Sequence, residues 1–136
     1  MIAICVANRG SDLGQPARGH LYSERSTFHL TVGTTYVVMG MGIFDSTMVA
    51  LVCDDTGKPN WLPVGLFELT PQKFPDNWEF RLFDGRAASG GNTVGGWVAR
   101  WGYPDLVRDE QHVDRLIERD PLALRTFFTE LKEATD

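Results

Sequence analysis

Residues 28–83 constrain the fold most, because FHLTVGTTYVVMGMG, TMVALVCDDTGKPNWLPVGLFELT and WEFRLF follow one another there. These short β-branched and aromatic segments are broken by Gly, Asp and Pro and show no helical period. That pattern builds the strands of a small curled sheet. Phe28, Leu30 and Val32 alternate with His29 and Thr31, which predicts a strand over residues 28–32. Further strands are expected over 36–41 and 47–53, separated by the turn GIFDS, and over 78–83. Residues 66–69 are expected as a brief strand or a single 3₁₀ turn, and IAICV at 2–6 as a short buried strand. DDTGKPN at 54–60 is the clearest hairpin: Asp supplies an Asx turn, Gly a positive φ and Pro a fixed φ.

After Pro104 the period changes to 3.6. Val107, Val113, Leu116 and Ile117 predict a first helix of about three turns beginning close to Asp109. Asp120 before Pro121 starts a second, since Asp caps free amides and Pro is tolerated at the first helical position. Leu124, Phe127, Phe128 and Leu131 then form one apolar stripe expected to pack on the sheet. The predicted fold class is α+β: an antiparallel SH3-like barrel or strongly bent sheet with two C-terminal helices packed on it. One domain is expected over 1–136, mainly β over 1–104 and helical over 105–136.

No apolar run approaches the ~20 residues of a membrane span, and MIAICVAN lacks a basic leader, so a cytoplasmic protein with no membrane partner is expected. Cys5 and Cys53 lie beside aliphatic residues and read as small buried hydrophobes. The net charge of −5 argues against a nucleic-acid partner, which requires clustered Lys and Arg. The charge is also uneven, with nine acids against five bases from Asp105 onward. A basic protein partner fits that distribution.

The motifs for chemistry are sparse. The Gly-rich stretch 84–96 contains no GK[ST] and leads into Trp97 instead of a helix, so it reads as a flexible loop and not a phosphate cradle. The loop NRGSDLGQPARG at 8–19 is a second segment expected to be mobile. Cys5, His20, His29, Cys53 and His112 show no metal-ligand spacing, so neither a metal nor another cofactor is expected. His112 is expected in a first helical turn with a solvent or carboxylate contact. No nucleophile elbow frames a Ser or Cys, and no catalytic residue is assigned. Trp61, Trp97, Trp101 and Tyr103, with Tyr36 behind them, could line a peptide groove or plug a small barrel. Glu110, Asp114 and Glu118 recur every four residues, a like-charge stripe that a basic partner would relieve.

The order YVVMG, MVALVCDDTGKPNWLPVGLFEL, FPDNWEF, WGYPDLV and LIERDPLALRTFF resembles small bacterial proteins related to polymorphic-toxin immunity proteins of the contact-dependent inhibition type. Pro59, Trp61, Pro63, Leu66, Phe67 and Glu68 match a PxWxPxxLFE-like block, whereas IAICV and SGGNTVGG depart from the pattern. The resemblance implies a cytoplasmic antidote that binds one cognate, basic toxin domain. Asp54, Asp55 and Trp61 on the hairpin and Glu110, Asp114 and Glu118 on the helix are the candidate partner contacts. An SH3-like peptide-binding adaptor is the alternative function, and a small hydrolase or transferase the second.

Overall fold

The computed structural model describes residues 1–14, 22–83 and 96–135. Seven strands form one antiparallel sheet: β1 Ile2–Cys5, β2 Thr35–Phe44, β3 Thr47–Cys53, β4 Pro59–Pro63, β5 Phe67–Glu68, β6 Glu79–Leu82 and β7 Trp97–Gly102. Three helices follow, α1 Pro104–Arg108, α2 Glu110–Ile117 and α3 Pro121–Thr135. The main strand path runs β4-β3-β2-β1-β5, and its two end strands are joined in sequence by a single 3₁₀ turn, Val64–Leu66. No ladder closes β4 onto β5 among the described residues.

The long strand β2 organises the sheet. One of its edges pairs with β3, while the other is shared by β1 at residues 35–37 and by β7 at residues 40–44. A register shift between Val38 and Gly40 marks the hand-over, and an extra residue in a ladder redirects the strand in this way. Contrary to expectation, GIF does not leave the strand. The turn is only Asp45 and Ser46, with Asp45 taking the positive φ that a two-residue hairpin demands. Gly42 stays in the strand because Trp97 lies across it: a Cβ there would come within 2.6 Å of the indole Cζ3 and 2.9 Å of the Ala99 carbonyl.

Two cores result. Ala3, Cys5, Tyr36, Val52, Leu66 and Phe67 pack together in one cluster. Val49, Leu51 and Trp97 of the sheet pack with Leu106, Leu116 and Phe127 of the helices in a second. Strand β6 turns its faces against hydropathy: Phe80 and Leu82 are exposed, whereas Glu79 and Arg81 lie half-buried toward the helices. The reason is electrostatic. Arg108 of α1 makes a bidentate pair with Glu79 at 2.6 Å, and Arg81 lies 3.6 Å from Glu110 of α2.

Several predicted elements are corrected. Residues 28–32 are not a strand, because side chains take the backbone groups that a neighbouring strand would need. Asn8 donates to the Leu30 carbonyl at 3.1 Å, and the Thr31 amide donates to the Tyr36 hydroxyl at 2.8 Å. The described part of the 8–19 loop is anchored, with the Gly10 amide on the Ser26 carbonyl at 2.7 Å and Leu13 buried. Residues 15–19 of that loop and 84–95 of the Gly-rich stretch lie outside the described residues. The expected three-turn helix divides into α1, which Pro104 begins, and α2. Asp109 caps α2 by accepting from the Gln111 and His112 amides. Asp120 caps α3 in the same way, as its sequence signature indicated. No helix among the described residues is long and apolar enough to cross a membrane.

Candidate interaction surface

Trp61 lies on β4 with its ring centroid 4.8 Å from that of Trp97, and Phe44 meets Trp97 edge-on at 5.1 Å. Tyr22 donates its hydroxyl to the Trp61 carbonyl at 3.0 Å. Three clefts adjoin Trp61: one of about 310 Å³ is also lined by His29, Asp54 and Asn60, and the other two share Ile117. Of these two, one of about 100 Å³ is lined by Tyr22, Phe44, Val49, Trp97 and Ile117, and one of about 250 Å³ reaches Leu51, Pro59, Leu116 and Arg119. Ile117 stands 58% exposed at their mouth. The indole Nε1 of Trp61 is buried without a hydrogen-bond partner among the described residues. Of the other predicted groove aromatics, Trp97, Tyr103 and Tyr36 are buried and Trp101 is half-buried under Phe80.

The six predicted contacts fall into three groups. Asp54 is buried, accepting from the Thr56 amide and hydroxyl and from Asn60 Nδ2 at 2.7 Å. Asn60 Oδ1 in turn accepts from Arg119 Nη2 at 2.6 Å, and Arg119 also donates to the Pro59 carbonyl. This relay ties the hairpin to the end of α2, where Arg119 has a positive φ. Asp55 is on the surface, but its oxygens accept from Thr31 Oγ1 and Tyr36 Oη, both at 2.7 Å. Those bonds hold its carboxyl below the usual range.

Glu110 faces inward. It receives Nη2 of Arg100, a side chain with no solvent exposure. Arg100 Nε donates to the Leu106 carbonyl at 2.6 Å, while the guanidinium lies over the Phe83 and Trp97 rings at 4.7 and 4.9 Å. Burial pushes its proton affinity down, and Glu110 partly restores it. Asp114 and Glu118 remain exposed, with no ion pair among the described residues. Since Ile117 follows Asp114 by three residues, both stand on one flank of α2. Ile117 thus lines two of the Trp61 clefts with Asp114 and Glu118 flanking it, and Glu110 and Asp55 are committed elsewhere.

Sequence reasoning missed Arg100 and the exposure of Ile117. A lone Arg within the apolar WVARWG was a signal for a buried counter-ion, whereas Ile117 fits the same spacing as the buried Val113 and Leu116. The structure also corrects His112, which is buried with Nε2 2.7 Å from the Tyr103 hydroxyl. Burial pushes His112 below its ordinary range, and it pushes Tyr103 upward. Among the described residues no group of three or more His, Cys, Asp or Glu could hold a metal ion. No protein family, curated protein or solved structure matches the chain.

Proposed function

We propose that this chain is a non-catalytic protein-binding module, a cytoplasmic antidote that binds one basic toxin domain and masks its active site. The observation that carries the reading is the direction of charge on the helical layer. Arg119 turns inward to Pro59 and Asn60, and the exposed Arg108 is neutralised by its bidentate pair with Glu79. Asp114 and Glu118 are exposed, without an ion pair among the described residues, and flank Ile117, which lines the Trp61 cleft. An apolar centre with an acidic margin suits a basic partner that inserts one apolar anchor. The strand path, with one 3₁₀ turn linking its two end strands, supports an SH3-like barrel as the scaffold. The Tyr22–Pro59–Trp61 cleft favours the second reading, a peptide-binding adaptor.

The test is growth rescue. Each product encoded beside this gene is expressed alone and together with the chain, and one is expected to be toxic alone, harmless together and bound in a basic complex. Asp114→Lys with Glu118→Lys should then slow association by about tenfold at low salt. An apolar peptide would bind the variant as well as the parent. Absence of any rescued toxicity would overturn the antidote reading, and unchanged association would overturn the docking surface.

A further inference from the structure

A cavity of about 420 Å³ opens on another part of the molecule, sharing no lining residue with the Trp61 clefts. Its volume is within the range of small-ligand sites. Val38, Met39 and the ring of Tyr103 form its inner lining, and Trp78, backed by Phe74 in a 5.4 Å stack, forms a wall. Asp76, Glu130 and Glu133 also line it, and Asn77 donates to Glu130 at 3.3 Å. No Lys or Arg side chain is among the lining residues. Met1 also lines the cavity, and among the described residues no ion pair joins its α-amino group to Asp76, Glu130 or Glu133. Burial and the nearby Glu133 push the Glu130 carboxyl up, as expected of a carboxylate short of a cation.

The position of the acids sharpens the argument. Glu133 lies in the last turn of α3, where the helix dipole disfavours anions and favours cations, and Glu130 lies just before that turn. A positive ligand would gain from that dipole, from the carboxylates and from the aromatic face together. We propose that this cavity receives an organic cation, an ammonium or guanidinium group held between Trp78 and the carboxylates of Asp76, Glu130 and Glu133. A free amine or a Lys or Arg side chain of another protein presents the same chemistry. The site stands whether or not the chain neutralises a toxin.

The test uses the full chain and three probes: agmatine as a free amine, N-acetyl-arginine methylamide as a protein side chain, and N-acetyl-norleucine methylamide as an uncharged control. The Trp78 indole resonance is followed by NMR. Both cations should shift it saturably, added salt should weaken them, and the norleucine probe should leave it in place. Agmatine bound with the arginine derivative excluded assigns a free amine, and both bound assigns a side chain. Glu130→Gln with Glu133→Gln, verified as folded by its circular dichroism, should weaken binding roughly tenfold, about 1.4 kcal/mol. No shift with either cation, or equal binding by the Gln variant, overturns the proposal.

Discussion

Replacing Glu110 with Gln tests whether its carboxylate is a counter-ion or a surface contact. Arg100 is fully buried, and Glu110 is the only carboxylate paired with it among the described residues. Breaking a fully buried ion pair costs about 3–5 kcal/mol. Glu110 is 34% exposed, and Gln keeps one acceptor for Arg100 Nη2, so the expected loss is nearer ~2 kcal/mol. For a chain of 136 residues that lowers the midpoint of thermal unfolding by roughly 5–10 °C. Circular dichroism melts and urea titrations of the parent, Glu110→Gln and Asp114→Asn decide the matter. Asp114→Asn should remain within about 0.5 kcal/mol of the parent. Adding Arg100→Met to Glu110→Gln should recover part of the loss, because it removes the stranded charge. If Glu110→Gln and Asp114→Asn unfold together, Arg100 does not depend on Glu110 and the inward assignment is wrong.

Gly42→Ala sets strand propensity against close packing. Ala is favoured over Gly in a strand by about 0.5–1 kcal/mol, but contact with Trp97 and the Ala99 carbonyl should reverse the sign and destabilise by about 1–3 kcal/mol. A urea midpoint at or above the parent's would refute the packing account. His112 gives a pH signature. Its folded-state pKa is lowered, so the unfolded chain binds the proton more readily, and stability should fall as pH drops below about 6.5. His112→Gln should flatten that part of the profile in melts taken from about pH 7.5 to about pH 5, and an unchanged slope would remove His112 from the explanation.

Local chemistry made part of this molecule readable in advance. Asp54 and Gly57 announce the β3–β4 hairpin, and Asp120 before Pro121 announces α3, because each acts within a few residues of itself. The α+β class follows from the change of period near Pro104. Readings failed where a distant group decided the outcome. Val32 alternates correctly, yet Asn8 and Tyr36 occupy the backbone around it and no strand forms. Gly42 reads as the start of a turn, while in the fold it stays in the strand and makes room for Trp97.

The candidate contacts obey the same distinction. Glu110, Asp114 and Glu118 are indistinguishable by spacing, and what separates them is Arg100, ten residues before the first and across the helix–sheet interface. A buried guanidinium claims the acid it can reach and leaves the others to solvent. Asp54 and Asp55 are likewise adjacent in sequence and claimed by different partners, Asn60 for one and Tyr36 for the other. An acid can therefore be assigned to a docking face only after the donors across the sheet have been located. By that criterion Asp114 and Glu118 are the exposed acids flanking Ile117, and under the proposed docking the effect of charge on association should reside in those two residues.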